Sequence, residues 1–407
     1  MPQSWTPMRW PSGWKDPSAL DLLKGTAIDY LLIADAADLA AVRKRALADG
    51  LAASAAPPPG VELVTGTWPG VKTGRGAAAS AGPTGIPWVD SNGWAVRLAL
   101  ALHPDSAVWV DAPPAAATRL AAGAYPLAIA DSAAYGGRWI VSLDDSLAQS
   151  LAARDSTALA TWKKLAAAAG FFAAHGNWLT YTPLAVIGVI SGFAGESQFF
   201  SQEVLNLLGR VGAHYRVLPK SALAEASFES LRAVSYTDAE PPSDALRKQV
   251  LAFVAAGGML ITGPAWGALP SAPAKAATLP NFSLRPLGKG SIALADSAPG
   301  DPFEWANDSV LLVSHRYDLV RFWNSGATGS FCAISPDRRR SLVHLLFYTG
   351  RGPDSVAVRI AGRYRAVRAS TIDQPELAAV ETERTADAIE VRLPPVSPYV
   401  ALELEVA

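Results

Sequence analysis

Leu184-Ala-Val-Ile-Gly-Val-Ile-Ser191 is an unbroken apolar run closed by a small polar residue. That composition suits a strand buried on both faces of a parallel sheet. Gly192-Phe-Ala-Gly195 turns the chain after it, and Gln198–Arg210 reads as an amphipathic helix. Further strands are expected at Tyr215–Leu218, Leu231–Ser235 and Met259–Thr262. A helix over Ser243–Ala256, capped by Ser243 and stopped by Gly257-Gly258, fits between the last two. The expectation is an open, doubly wound, flavodoxin-like domain over residues 184–280. The Gly192–Glu196 turn lacks the Gly-x-Gly-x-x-Gly spacing of a phosphate loop and reads as fold-forming.

Upstream, three apolar runs end in aspartate: Ile86-Pro-Trp-Val-Asp90, Ala107-Val-Trp-Val-Asp111 and Pro126-Leu-Ala-Ile-Ala-Asp131. A strand that delivers a carboxylate at its last residue places it on the C-terminal rim of a parallel barrel, where substrate reaches it. Strands are expected at Trp5–Trp10, Ile28–Ile33, Val61–Thr65, Ile86–Val89, Ala107–Val110, Leu127–Ala130, Trp139–Leu143 and Trp178–Tyr181. Helices are expected over Asp38–Ala48, Gly93–Leu102, Ala115–Ala121 and Thr157–Ala174, with an earlier one opened by Asp16-Pro17. This alternation predicts a compact or degenerate TIM-type (β/α) barrel over residues 1–183. The Gly/Ala/Pro tract from Gly70 to Gly85 reads as an active-site loop, with Lys72 and Arg75 able to reach over the rim.

Downstream the period changes to alternation. Ser291–Ala295, Leu311–Ser314, Ser330–Ile334, Leu342–Tyr348, Val356–Ile360, Ala388–Leu393 and Tyr399–Glu405 read as strands between Pro, Gly and Asp turns. Short strands without helices predict a β-rich domain over residues 281–407, a β-sandwich at least from Asp337 onward. The fold class is thus α/β with three domains.

Composition narrows the function. The 35 basic and 36 acidic side chains nearly cancel, so no long-range field draws the chain to nucleic acid or an anionic membrane. Arg338-Arg339-Arg340 reads as a solvated turn. No apolar stretch approaches the ~20 residues of a membrane span. Met1-Pro-Gln-Ser-Trp-Thr-Pro7 has no signal-peptide pattern, which gives an expectation of a cytoplasmic protein or a processed exported form. One cysteine, Cys332, and five scattered histidines give no disulfide and no metal-ligand spacing, so neither metal nor cofactor is expected. Eight of the 13 Trp residues precede residue 140; indole faces stack on the apolar faces of sugars.

The order barrel, flavodoxin-like domain, β-sandwich resembles glycoside hydrolase family 42 β-galactosidases. The residues that carry the resemblance are Leu184–Ser191, Glu203-Val-Leu-Asn-Leu-Leu208, Tyr215-Arg-Val-Leu218 and Phe253-Val-Ala-Ala-Gly-Gly-Met-Leu-Ile-Thr262. Ser341-Leu-Val-His-Leu-Leu-Phe-Tyr348 and Leu393-Pro-Pro-Val-Ser-Pro-Tyr-Val-Ala-Leu-Glu403 extend it through the tail. The middle domain is similar to class I glutamine amidotransferases and to the trimerisation domain of family 42. The resemblance therefore implies a homotrimer or other homo-oligomer. Two departures stand out. Glu62 is the only Glu before Glu196, so the barrel lacks the family's Glu pair. The turn Gly263-Pro-Ala-Trp266 has no Cys nucleophile.

Glycoside hydrolysis needs two carboxyl groups flanking the scissile bond, one protonated and one ionised. Asp111 and Asp131, ending consecutive expected strands, are the candidate catalytic pair. Asp90, Asn92, Trp94, Trp68, Tyr135 and Arg138 are the candidate substrate-binding residues. The competing reading makes each Asp an ordinary N-cap before a helix, and Asp144-Asp145 a cap of the next one. The expected function is a glycoside hydrolase or glycosidase-like protein acting on carbohydrate through Asp carboxylates. The alternative is a non-catalytic carbohydrate-binding or assembly protein derived from a glycosidase.

Overall fold

The computed structural model describes residues 4–407 except 75–78, 84–88, 271–274, 277–278, 280, 299, 350–354, 375, 378–379 and 397. The expected strand Ile86–Val89, apart from Val89, and Arg75 lie outside the described residues.

The N-terminal region contains strands β1 (Pro7–Arg9), β2 (Tyr30–Leu32), β3 (Ala52–Ser54), β4 (Val61–Thr65), β5 (Val71–Thr73), β6 (Ser80–Pro83), β7 (Ala107–Asp111), β8 (Arg119–Leu120) and β9 (Arg138–Trp139). Its helices are α1 (Ala40–Ala48), α2 (Gly93–Leu102), α3 (Ala124–Ala134), α4 (Asp145–Ala152) and α5 (Ser156–Ala174). Parallel ladders β1–β2–β3 and β4–β7–β9 are joined where Met8 bridges Val141. The resulting order is β3-β2-β1-β9-β7-β4, with every neighbour parallel. The sheet curls strongly. Tyr30, Leu32, Trp109 and Ile140 cluster on its inner face, and Ala52 and Val61 of the two edge strands pack on that same cluster. Among the described residues no hydrogen bond joins β3 to β4, so a closed barrel is replaced by an open, curled sheet.

Four readings of this region are corrected. Leu127–Ala130 is not a strand but the middle of α3, and all eleven residues of that helix are buried. A helix buried on every side shows no clear 3.6-residue stripe, so periodicity cannot separate it from a buried strand. Ala115–Ala121 is not a helix; its end forms β8, paired with β6. Trp178–Tyr181 lies largely in a 3₁₀ turn, Gly176–Thr180. The Gly-rich tract is partly ordered as the antiparallel β5–β6 pair. Asp16 caps a 3₁₀ helix, Pro17–Leu23, by accepting from Ser18 N at 2.9 Å, as its sequence position indicated.

After the short strand β10 (Thr182–Pro183) come β11 (Ile187–Ser191), β12 (Tyr215–Pro219), β13 (Ala233–Tyr236), β14 (Met259–Thr262), β15 (Lys275–Ala276), β16 (Phe282–Leu287) and β17 (Gly290–Ala295). Helices α6 (Gln198–Arg210) and α7 (Asp244–Ala255) match their sequence signals, and α7 is capped by Ser243 Oγ accepting from Leu246 N. The sheet order β12-β11-β13-β14-β17-β16-β15 begins with the flavodoxin-like arrangement. Ser291–Ala295, read with the C-terminal strands, pairs instead with β14 in this middle sheet. Leu311–Ser314 is not a strand either. It closes helix α8 (Pro302–Val313), which starts with Asp301 as cap and Pro302 in the first turn.

The remaining strands are β18 (Val320–Trp323), β19 (Thr328–Ile334), β20 (Arg340–Phe347), β21 (Val356–Ala361), β22 (Tyr364–Thr371), β23 (Glu381–Arg384), β24 (Ala388–Leu393) and β25 (Tyr399–Val406). They form two sheets, β10-β19-β20-β25-β22 and β18-β21-β24-β23, whose facing side chains make one apolar core. The other face of the five-stranded sheet serves a different purpose. Phe331, Leu342, Leu346, Tyr348 and Tyr399 join the core of the N-terminal region. Helix α3 is buried on all sides because the curled sheet, α5 and β20 surround it.

Candidate functional site

Asp131 ties the N-terminal region to the C-terminal sheet. It is fully buried on α3. Its Oδ2 accepts from the backbone N and the side-chain Nδ2 of Asn92, both at 2.9 Å, and its Oδ1 accepts from Tyr348 Oη at 2.7 Å. Burial pushes the Asp131 carboxyl above the ordinary aspartate range, and the donors from Tyr348 and Asn92 offset part of that rise. Asn92 is also spent: its Oδ1 accepts from Thr67 N at 2.8 Å and its Nδ2 donates to Thr67 O at 2.9 Å. The turn it grips contains Gly66, where a Cβ would lie 2.3 Å from Val110 Cγ1 and 3.0 Å from Asn92 Oδ1. Only glycine fits that approach.

Beside this clamp, a hollow of about 30 Å³ opens between the start of α2, the end of α6 and the start of β19. That volume holds about one water molecule. Ser91, Trp94, Arg97, Arg210, Thr328 and Tyr348 line it. The Arg97 guanidinium lies 3.5 Å above the Tyr215 ring and donates to Tyr215 O. Arg210 is ion-paired with Asp90, whose side chain is otherwise exposed. Arg97 and Arg210 bring two guanidinium groups to the lining, and buried His214 stays uncharged because burial, then Arg97, lower its pKa to about 3.

Asp111 sits elsewhere. It receives a two-pronged salt bridge from Arg9 Nη2, at 2.8 and 2.7 Å. Alternation along β7 puts Asp111 on the same side as Trp109, within the curl, whereas Val108 and Val110 face the core that contains α3. Asp111 and Asp131 therefore stand on opposite faces of the N-terminal sheet, and the structure does not bring them together.

The other nominated residues divide. Trp94 and Tyr135 line the hollow with Asp90 and Asn92 close by. Trp68 belongs to an aromatic cluster, edge-on to Tyr125 at 5.3 Å and to Trp139 at 4.9 Å. Arg138, at the start of β9, lies away from the hollow and lines two other cavities. Asp144 is a cap: it accepts from Leu147 N, Leu120 N and Tyr125 Oη. Tyr348, Arg97, Tyr215 and Arg210 were not nominated by sequence. The ring-stacked Arg97 has no local signature, and nothing near residue 348 announces a partner 217 positions away.

The anion crevice of the middle sheet is also filled from within. At the C-terminal ends of β11 and β13, Asp238 accepts from Gly192 N at 2.6 Å, Glu240 N at 2.9 Å and Ser197 Oγ at 3.1 Å, and pairs with Lys220 Nζ at 2.9 Å. Ligands of flavodoxin-like sheets bind at this switch point. Among the described residues no cluster of His, Cys, Asp and Glu could hold a metal ion, and no helix is long and apolar enough to cross a membrane.

No family model matches the chain, and no curated protein matches it. Solved structures similar to it include glycoside hydrolases. An α-L-fucosidase isoenzyme 2 from Paenibacillus thiaminolyticus is 12% identical with a TM-score of 0.48, over 74% of this chain and 60% of that one. A β-galactosidase from Bacillus circulans sp. alkalophilus is 10% identical with a TM-score of 0.46, over 74% and 60%. A catalytic mutant of the family 42 β-galactosidase Gan42B from G. stearothermophilus is 11% identical with a TM-score of 0.44, over 69% and 51%. The chain spans 51–60% of the length of these proteins. Similarity at this level assigns neither a reaction nor a residue role to the chain.

Proposed function

We propose that this chain is a glycosidase-like protein that binds carbohydrate without hydrolysing it. The observation that carries the reading is the separation of Asp111 and Asp131 by the sheet, each closed off by donors of the protein itself. Hydrolysis by the two-carboxyl route needs the groups within ~10 Å of each other, across one bond. A carbohydrate contact is supported at the junction hollow. The half-buried Trp94 indole offers a stacking face, and Ser91, Thr328 and the two arginines offer hydroxyl and cationic partners. A hollow the size of one water suits a single sugar hydroxyl, with the ring lying across its mouth.

The test has two arms. Aryl glycosides are expected to turn over at background rate with wild type, Asp111→Asn and Asp131→Asn alike. Turnover by wild type that falls a hundredfold or more in either variant, the scale of a lost acid–base group, returns the chain to the hydrolases. In a glycan-binding screen, Trp94→Ala is expected to lose the signal that wild type gives; no wild-type signal on any glycan overturns the carbohydrate reading.

A further inference from the structure

A second cleft lies at the opposite end of the curled sheet, beside the first residues of β7 and β9. Two adjoining cavities of about 260 and 160 Å³ meet there, sharing Leu100, Pro104, Gly136, Arg138 and Leu179. Phe172, Trp178 and Phe331 wall the larger one. His175 stacks on Trp178 with ring centroids 4.1 Å apart, and His344 is kept neutral, its pKa lowered to about 3 by burial. Besides two histidines, two tyrosines and Ser106, the lining side chains are apolar, and one permanently charged group stands among them.

That group is Arg138. It is 91% buried, being 9% exposed. A guanidinium carries five N–H donors, yet among the described residues Arg138 makes one hydrogen bond, from Nη1 to Gly137 O at 3.1 Å. Among the described residues no carboxylate reaches it within ion-pair distance. The field of Asp29 acts on it through space, and Asp29 already accepts from Thr6 N at 2.7 Å. Buried charges in native proteins are paired and hydrogen-bonded. Among the described residues none supplies the partner, and Arg138 lines open space of ligand size.

We propose that this cleft binds a small monocarboxylate with an aromatic body, its carboxylate on Arg138 and its ring against Trp178 and Phe331. A monoanion fits better than a phosphate because one guanidinium balances one charge and Asp29 opposes a second. A planar carboxylate also matches the fork of the guanidinium. The inference does not rest on the carbohydrate reading, which concerns a different cavity, although Tyr135 borders both.

The test uses the full chain and calorimetric titration with phenylacetate, phenylacetamide and inorganic phosphate. Phenylacetate is expected to bind, with the isosteric amide weaker by about tenfold or more, as loss of a charge-assisted hydrogen bond requires. Arg138→Gln should weaken phenylacetate by a similar factor. Leu179→Trp, which narrows the mouth and leaves Arg138 in place, should do the same, and it stands as the readout if Arg138→Gln does not fold. Equal affinity for acid and amide, tighter binding of phosphate, unchanged binding in Leu179→Trp, or no heat from phenylacetate at millimolar concentration each overturns the proposal.

Discussion

Asp131 shows how much a single buried carboxylate can organise. Its three donors come from residues 92 and 348, so two distant stretches of chain are fixed through one side chain. Asp131→Asn is expected to be tolerated: the amide oxygen can serve Asn92 while the amide nitrogen donates to Tyr348 Oη, a hydroxyl that can also accept. Asp131→Ala strands those donors in the core and should cost about 3 kcal/mol or more, read as a fall in the chemical-denaturation midpoint. The pH dependence has a definite sign. A carboxyl whose folded pKa is raised gives its full stability at or below its unfolded pKa and loses it as pH climbs through the raised value. Asp131→Asn should therefore gain on wild type as pH rises from the ordinary aspartate range toward neutrality; a constant difference across that window refutes the assignment. Sequence alone marked Asp131, Asn92, Trp94 and Tyr135. It misplaced the reason, because the aspartate ends a turn of helix and its third donor lies far away along the chain.

At the scale of elements, the helix α2 and the crevice of the middle sheet make separate tests. Gly93 faces Tyr135, and a Cβ there would lie 2.5 Å from the ring. Gly93→Ala gains up to ~1 kcal/mol in helix propensity but overpacks a buried aromatic, at ~1–3 kcal/mol. The net expectation is a lower melting temperature. An increase would show that the ring yields freely. In the crevice, burial raises the Asp238 carboxyl, but hydrogen bonds from Glu240 N, Lys220 and Gly192 N prevail and hold it below the usual range. Its stabilisation is thus present above the unfolded pKa and lost as pH falls through the depressed folded value. Asp238→Asn should destabilise at neutral pH, and its difference from wild type should shrink on acidification below ~4. Most strands and helices of the middle sheet were legible because caps, glycine stops and apolar runs agree there. The N-terminal sheet was less so: α3 carries no stripe, and Arg119-Leu120, inside the expected helix Ala115–Ala121, pairs with β6 instead.

For the molecule as a whole, the link between Tyr348 and Asp131 is one thread of a broader seam. Tyr348→Phe removes its hydroxyl from a buried pair and should cost about 1–2 kcal/mol, measured by denaturant unfolding with unchanged slope. The homo-oligomer implied by the family 42 resemblance is tested by light scattering, with a trimer expected and a monomer at micromolar concentration opposing it. Sandwich strands were readable from alternation. Their second duty, covering α3, was not, since alternation reports that a face is buried and not which neighbour buries it.

That second duty also bears on the order in which the protein can be made. The core around α3 takes in side chains from Ala327 to Ala401, so the first 183 residues leave the ribosome long before their covering sheet exists. A helix destined for burial on every side then waits unprotected through more than a hundred further residues of synthesis, the exposure that invites aggregation and chaperone capture. Residues 1–183 made alone should accordingly be protease-sensitive or insoluble, whereas a sharply melting, protease-resistant fragment would show that the first half matures without its lid.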